Sequence, residues 1–227
     1  MKILETKNLS YFYQDGSAKR IILENVNISF ESGKFYTIIG ESGSGKTTLL
    51  SVLAGLDNPK DGQVLYKDED IAKIGLDKYR RNYISMIFQN YNLINYLNAY
   101  DNVYTAMNIS DNTKVKVNKA DIINILNKVG IDESKIKRRV TKLSGGEQQR
   151  VAIARALATN TEVIIADEPT GNLDIETSDY IVNLLKDLAH EEGKTIIMVT
   201  HNTDIAKVSD VIYKIDQLNK SVIEILK

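Results

Sequence analysis

The chain has 227 residues, of which 43% are hydrophobic and 26% are charged, and its formal net charge at pH 7 is -1. These values are typical of one folded domain and exclude an overall basic field that could hold nucleic acid. The absence of cysteine excludes disulfide bonds and thiolate metal ligands. No secretory signal and no run of about 18 apolar residues is present, so we expect any membrane function to depend on another chain.

Apolar patterns along the chain predict an α/β protein with a mostly parallel sheet. Strand-like runs cover residues 2–9, 20–30, 35–40, 63–68, 85–88, 163–166 and 195–200. A polar turn around Asp15 and Gly16 favours a hairpin between the first two runs, and the run at 63–68 suits an edge or antiparallel strand. The continuously apolar, β-branched runs are typical of parallel strands that are buried on both faces.

The middle of the chain differs, because helical periodicity replaces strand signals from about 90 to 160. One amphipathic helix is expected to end at Gly130, and a segment at 147–158 is rich in small, helix-favouring residues. We therefore expect one domain over 1–227. Its predicted parts are an α/β core with a β subdomain at 1–88 and 160–227, and a helical subdomain at 89–159.

A phosphate-binding loop is indicated by GESGSGKT at 40–47, which matches G-x-x-x-x-G-K-[ST] between a buried strand and a helix. Glycines let the backbone N–H groups point at phosphate oxygens, and the helix N-terminus adds partial positive charge. Lys46 can reach the β- and γ-phosphates, while the Thr47 hydroxyl can ligate Mg²⁺. The predicted nucleotide contacts of this loop are Gly40, Ser42, Gly43, Ser44, Gly45, Lys46, Thr47 and Thr48.

Two carboxylates follow another buried strand in VIIADEP at 163–169. Asp167 is predicted to hold Mg²⁺ directly or through water, and Glu168 to orient or deprotonate an attacking water. The start of a solvated loop is the alternative, but the phosphate loop elsewhere in the chain favours the catalytic interpretation. A GTPase fits less well, because no N-K-x-D-type base-reading motif follows a strand.

Three single residues are candidates to complete the site. Gln89 follows the strand-like SMIF and can touch Mg²⁺ or the water, although a lone glutamine is more often a surface residue. His201 follows a strand and can bond the γ-phosphate, although a lone histidine is usually structural. Tyr13, in the expected turn region, can stack on a base. Plain strand packing is an equal alternative for Tyr13, and Tyr11 and Phe12 compete for the stacking role.

A second glycine-rich turn, LSGGEQQR at 143–150, completes a recognisable set of motifs. The order and approximate spacing of GESGSGKTT, Gln89, LSGGEQQR, VIIADEP, GNLD at 171–174 and His201 resemble an ATP-binding cassette (ABC) ATPase over essentially the whole chain. Within that superfamily, QNYNLINYLNAYDNV and ADEPTGNLD resemble the macrolide-exporter, lipoprotein-releasing and peptide-antibiotic-resistance group. The resemblance implies a P-loop NTPase cassette with a mostly parallel core sheet, an antiparallel β subdomain and a helical subdomain.

The resemblance also implies a function and its partners. Such chains are ATP-hydrolysing subunits of bacterial transporters and form head-to-tail homodimers around two ATP molecules with Mg²⁺. They lie in the cytoplasm, on the inner face of the membrane, and power a separate transmembrane permease. Residue by residue, Ser144, Gly145 and Gly146 would contact the γ-phosphate bound to the partner copy, and Asp174 would communicate across the interface. Tyr13 becomes the favoured adenine platform, and Gln89 begins the segment that senses the permease.

The expected physical properties of the second turn agree with that assignment. A helix that opens at Glu147 has free N–H groups and the positive end of a dipole, yet this anion site has no evident ligand within one chain. Across a two-fold axis the turn would meet the γ-phosphate of the partner. Relatives often carry glutamine at the position of Glu147, and no role is assigned to that difference.

Two alternative functions belong to other classes. A regulator that signals through a membrane partner, as the cell-division cassette does, is not separated from a transporter by this sequence. A nucleic-acid-associated ABC protein fits less well, because the segment between Gln89 and Ser144 is too short for a long coiled coil, so no nucleic-acid partner is expected. The stretch 91–104 can form part of a groove for a permease helix, with ordinary packing as its alternative.

Overall fold

The computed structural model describes residues 1–16, 18–112 and 118–225. The strands are β1 (Lys2–Asp15), β2 (Ala18–Val26), β3 (Ser29–Glu31), β4 (Phe35–Ile39), β5 (Asp61–Tyr66), β6 (Glu69–Asp70), β7 (Ile84–Ile87), β8 (Val163–Asp167), β9 (Thr195–Val199), β10 (Val211–Asp216) and β11 (Ser221–Ile225). The helices are α1 (Lys46–Leu53), α2 (Ile71–Ile74), α3 (Leu76–Asn82), α4 (Ala99–Ile109), α5 (Lys119–Lys128), α6 (Glu133–Ile136), α7 (Gly145–Ala158), α8 (Ile175–His190) and α9 (Thr203–Ala206), with a 3₁₀ turn at Val140–Lys142. Within these ranges no helix is long and apolar enough to cross a membrane.

The core sheet has the strand order β11-β10-β4-β9-β8-β7. Its neighbouring strands are parallel except for β10 and β11. Along β8, Ile165 packs into one apolar cluster and Ile164 into the other, and Ile197 and Ile196 of β9 divide in the same way. The sheet is thus buried on both faces, which confirms the meaning of the continuous apolar runs.

The second sheet has the order β2-β1-β5-β6, with β3 also paired to β1, and its pairs are antiparallel. The predicted hairpin between β1 and β2 is confirmed, although Ser17 lies outside the described residues. β1 extends to Asp15, so the placement of Tyr13 in a turn is wrong. Tyr13 lies inside the strand and pairs with Arg20.

The single strand predicted at 20–30 is also wrong, because it is divided into β2 and β3. Asn25, near the end of β2, adopts a left-handed backbone with φ 49, and the strand ends at the next residue, Val26. Side chains complete the bonding at the break: Asn27 Oδ1 accepts the N–H of Asn8 at 2.9 Å, and Thr6 Oγ1 accepts the N–H of Ile28 at 3.0 Å.

The predicted helical region is confirmed in its described residues, and residues 113–117 lie outside them. Val103 of α4, Leu126 of α5 and Ile153 of α7 belong to one apolar cluster, which also covers one face of the core sheet. Gly130 has φ 75 and follows the end of α5, as expected. The α/β architecture with a mostly parallel core sheet, an antiparallel sheet and a helical side is therefore confirmed, while the domain boundaries at 88/89 and 159/160 stay a prediction.

Gly62 of β5 lies directly against the backbone of β1. It has φ 74, and an added Cβ would lie 2.3 Å from the carbonyl oxygen of Asn8. We expect Gly62→Ala to lower the free energy of unfolding by about 2 kcal/mol or more, because the backbone of β1 has to move. Gly193→Ala is the matched control, since Gly193 has φ 67 and nothing within 4 Å of its added Cβ. Urea denaturation should show the larger loss for Gly62→Ala, and equal losses would contradict the steric explanation.

Candidate functional site

Parallel strands carry the predicted site residues to one edge of the core sheet. The phosphate loop follows β4, Gln89 follows β7, Asp167 ends β8 and His201 follows β9. Because parallel strands have their carboxyl ends at the same edge, residues far apart in sequence meet there. A cleft of about 440 Å³ is lined by Ile22, Ser42, Gly43, Gly45, Lys46, Thr47, Thr48, Glu168 and His201.

The phosphate loop curls around the amino group of Lys46. Lys46 Nζ donates hydrogen bonds to the carbonyl oxygens of Gly40 at 2.9 Å and Glu41 at 2.8 Å. Gly45 has φ 104, and an added Cβ would lie 2.9 Å from Ile22 Cγ2 on β2. Glycine is therefore required for the loop to close against the antiparallel sheet.

The loop offers donors that suit phosphate. The N–H groups of the first turn of α1 have no acceptors within the helix, and they open beside the buried amino group of Lys46. Ser44 Oγ is buried and has no hydrogen-bond partner within the described part of the chain. An incoming phosphate oxygen would satisfy such groups, so the loop is built for a polyphosphate.

The carboxylates at the end of β8 are short of positive charge. Burial raises the pKa of Asp167, the charge of Glu168 raises it further, and Lys46 opposes both effects. Among the residues that the structure describes, no cluster of three or more His, Asp or Glu side chains could hold a metal ion. Mg²⁺, however, usually takes only one or two carboxylates and completes its shell with water and phosphate oxygens. Asp167 and the Thr47 hydroxyl therefore fit Mg²⁺ that arrives with a nucleotide.

Glu168 lines the cleft and lies among other polar side chains. Its backbone has φ 44, and its N–H donates to the carbonyl oxygen of Val199 on the neighbouring strand at 3.0 Å. Its Oε2 lies 3.3 Å from Nδ1 of His201. An added Cβ on Gly171 would lie 2.9 Å from Gln89 Nε2 and 3.4 Å from Glu168 Oε2. The structure thus brings Gln89, Glu168 and His201 together, as the sequence predicted.

Exposure separates the three aromatic candidates on β1. Tyr13 is 53% exposed, whereas Tyr11 is buried and donates a hydrogen bond to the carboxylate of Asp57. Phe12 is half-buried with Lys19 Nζ 3.9 Å above its ring. Tyr13 meets the Tyr11 ring edge-on at 5.4 Å and does not line the phosphate cleft. Tyr13 is the most exposed of the three candidates, and its stacking role stays a prediction.

The LSGG turn lies outside that cleft and forms the capped start of α7. Ser144 Oγ accepts the N–H of Glu147 at 3.3 Å, while Glu147 Oε2 accepts the N–H of Ser144 at 2.8 Å. This capping box starts the helix at Gly145, so the expected start at Glu147 is wrong. The Ser-x-x-Glu spacing is visible in the sequence and would have located the helix start.

Glycines let the LSGG turn approach its neighbours closely. An added Cβ on Gly145 would lie 2.9 Å from the Tyr91 hydroxyl, and one on Gly146 would lie 2.6 Å from Thr177 Cγ2. Further along α7, Arg155 donates to the carbonyl oxygens of Tyr91, at 3.0 Å, and Asn92. The helix that carries the LSGG turn is therefore tied to the loop after Gln89, a link that the sequence did not predict.

Asp174 is exposed and caps the start of α8. It accepts hydrogen bonds from the N–H of Thr177 at 2.9 Å and from its hydroxyl at 2.8 Å, and these bonds lower the pKa of Asp174. Ser144, Gly145, Gly146 and Asp174 are absent from the lining of the phosphate cleft. The predicted site is therefore present in two separate parts of this chain.

Comparison with known proteins decides the family. The model of the family described as ABC transporter matches residues 23–171, which is more than half of the chain. The chain belongs to the ABC transporter family. It is an ABC transporter ATPase, and the nucleotide that it binds is ATP.

Three proteins are similar to this ABC ATPase over at least 90% of its length. It is 50% identical over 211 residues to the uncharacterized ABC transporter ATP-binding protein YclH of Bacillus subtilis, covering 93% of this chain and 92% of YclH. It is 38% identical over 208 residues to the lipoprotein-releasing system ATP-binding protein LolD of Idiomarina loihiensis, covering 90% of each. The dimeric post-hydrolysis structure of the ATP-binding cassette MJ0796 of Methanocaldococcus jannaschii, bound to ADP and Pi, matches with a TM-score of 0.89 and 35% identity, over 98% of both chains. The predicted ABC cassette fold is confirmed.

The raised pKa of Asp167 predicts a conflict between stability and function. The pKa of Asp167 is higher in the folded protein than its ordinary value of 3.8, so ionised Asp167 destabilises the fold. This penalty grows as the pH rises from the ordinary pKa to the raised pKa of the folded protein. We expect Asp167→Asn to raise the Tm of the nucleotide-free protein at pH 7.5 by about 2–4 °C. Thermal melts in EDTA from pH 4 to pH 8 should show the gain increasing with pH and then levelling off. The exposed Asp179→Asn variant should shift Tm by less than about 1 °C, and a lower Tm for Asp167→Asn would contradict the prediction.

Proposed function

We propose that this ABC ATPase is the energy-supplying subunit of a bacterial transporter of the lipoprotein-releasing, macrolide-export and peptide-antibiotic-resistance group. It works on the cytoplasmic face of the membrane and powers a separate transmembrane permease. Its 38% identity to LolD supports this group. The main structural support for the mechanism is that the LSGG turn lies apart from the cleft that contains Lys46 and Glu168. A single chain therefore does not bring both parts of the site together.

In the proposed reaction the phosphate loop binds the triphosphate of ATP through its N–H groups and Lys46. Mg²⁺ would be held by Thr47, Asp167 and Gln89 and would neutralise charge on the phosphates. Glu168 orients the attacking water and takes its proton, while His201 bonds the γ-phosphate, so that ADP and phosphate are formed. The proposed nucleotide contacts within this chain are Tyr13, Gly40, Ser42, Gly43, Ser44, Gly45, Lys46, Thr47 and Thr48.

The second half of each site comes from another copy of the chain. Ser144, Gly145 and Gly146 would contact the γ-phosphate of ATP that is bound to the partner copy, and Asp174 would lie beside the opposite site. The dimeric MJ0796 structure supports this arrangement by similarity. ATP binds the closed dimer better than the open form, so its binding shifts the population towards closure and hydrolysis reverses the shift.

A partner surface is proposed between the core and the helical side. An apolar groove of about 310 Å³ includes Phe88, Leu56, which is 50% exposed, and Ile109, which is 61% exposed. Tyr96, which is 75% exposed, lies on the stretch that the sequence suggested for the same purpose. Phe88 directly precedes Gln89, so a permease helix in this groove could displace the loop that reaches the catalytic group. The groove and Tyr96 are therefore the proposed docking surface.

Ser144→Arg is expected to abolish ATP-driven dimerisation while leaving ATP binding to the monomer within about twofold, because the LSGG turn and the phosphate cleft are separate. The measurement is light scattering with ATP and Mg²⁺, in a Glu168→Gln background that removes the proton acceptor. The Glu168→Gln parent should bind ATP, form a stable dimer and hydrolyse ATP at least about 100-fold more slowly than wild type. A Ser144→Arg protein that still dimerises would refute the composite site, and normal turnover by Glu168→Gln would refute the role of Glu168.

Ile109→Ser and Tyr96→Ala are expected to reduce permease-stimulated ATPase activity at least about fivefold while basal activity stays within about twofold. The measurement uses the ATPase co-expressed with the permease encoded by a neighbouring reading frame. Ile223→Ser is the control, because Ile223 is 50% exposed on β11, away from the docking surface. Loss of basal activity together with stimulation would mean misfolding, and unchanged stimulation would place the permease elsewhere.

A further inference from the structure

The carboxylate of Glu147 lies in the first turn of α7. The proposed function assigns this same end of the helix to an anion, the partner's γ-phosphate. Glu147 Oε2 accepts the N–H of Ser144 at 2.8 Å, so its negative charge is folded back against the LSGG turn. The γ-phosphate of the partner's ATP would approach the same helical turn. Two anions within one turn of a helix repel each other, and the repulsion is screened weakly in a closed interface.

Lys135 of α6 is placed to remove this conflict. Its Nζ lies 2.7 Å from Glu147 Oε1 and 3.3 Å from Asp132 Oδ2. The side chains of Glu147 and Lys135 are only 14% and 31% exposed, so solvent screens their pair less than an ordinary surface pair. The pair lowers the pKa of Glu147 and raises that of Lys135, so both stay charged near neutral pH.

The geometry of the LSGG turn and its charge are separable. Gln148 Nε2 donates to the carbonyl oxygen of Leu143 at 3.0 Å, so a neutral side chain already fixes the turn from the other side. A glutamine in place of Glu147 would keep an oxygen that can accept the Ser144 N–H. The carboxylate is therefore not required for the cap, and its negative charge repels a phosphate that approaches the turn.

We propose that Lys135 is a positioning residue for ATP-driven dimer closure: it holds the Glu147 carboxylate in the cap and cancels its charge, so that the LSGG turn can accept the partner's γ-phosphate. The inference rests on the proposed head-to-tail dimer. Lys135 makes no contact with ATP bound to its own chain, because that ATP occupies the separate phosphate cleft. Its loss should therefore affect dimer closure and leave monomer ATP binding unchanged.

The experiment is a double-mutant cycle of Lys135→Ala and Glu147→Gln in the Glu168→Gln background. Light scattering gives the ATP concentration at half-maximal dimerisation for all four proteins. We expect Lys135→Ala to raise this concentration about three- to tenfold, which lies within the range of coupling energies between residues of one salt-bridge network. Glu147→Gln should match the parent or dimerise at lower ATP, and the double variant should match Glu147→Gln within about twofold.

Two further measurements separate charge from packing. Raising NaCl from 50 to 500 mM should shrink the deficit of Lys135→Ala, because salt screens the uncompensated carboxylate. Lys135→Arg should restore dimerisation, and ATP binding by monomeric Lys135→Ala should stay within twofold of the parent, which also shows that it is folded. A double variant as defective as Lys135→Ala, or a Lys135→Ala protein that dimerises normally, would overturn the inference.

The same cycle distinguishes a failure of the head-to-tail dimer from a failure of the role of Lys135. If the Glu168→Gln parent fails to dimerise with ATP, the head-to-tail function is refuted and the role of Lys135 is refuted with it. If the parent dimerises and only the pattern of rescue differs, the composite site stands and Lys135 acts otherwise.

Discussion

The parallel pairing of β4, β9 and β8 is the constraint on which the site depends. It brings the phosphate loop, His201 and the Asp167–Glu168 pair to one edge of the sheet, although more than a hundred residues separate the loop from the other two. The pairing is stable because the strands are buried on both faces by two apolar clusters. Groups that would repel each other in an open chain, above all the adjacent carboxylates, are held there by the packing behind them.

The helix α7 links the LSGG turn to the loop after Gln89. Its first turn carries the capping box of Ser144 and Glu147, and its later turn holds the loop after Gln89 through Arg155. Tyr91 in that loop also lies against Gly145. In the proposed transporter, a permease that displaced the loop after Gln89 would act on the LSGG turn through these contacts.

Charge determines how the two halves of the site are used. The phosphate cleft contains Lys46 and donors that suit a polyphosphate, while its carboxylates favour a divalent cation. The LSGG turn offers helix N–H groups but also carries the Glu147 carboxylate, which is paired with Lys135. The carboxylate of the LSGG turn thus has an ion partner within the single chain, and in the proposed dimer ATP would join the two halves when a second copy brings the complementary half.

The sequence by itself determined the α/β class, the phosphate loop, the two carboxylates and the family resemblance, because these depend on short motifs and local periodicity. It did not show the break between β2 and β3, since the side chains of Thr6 and Asn27 make that break through partners about twenty residues away. Only the tertiary structure decided that Tyr13, rather than Tyr11, exposes its ring, because Asp57 binds Tyr11 from another element. It likewise paired Glu147 with Lys135, because this ion partner lies on a different helix.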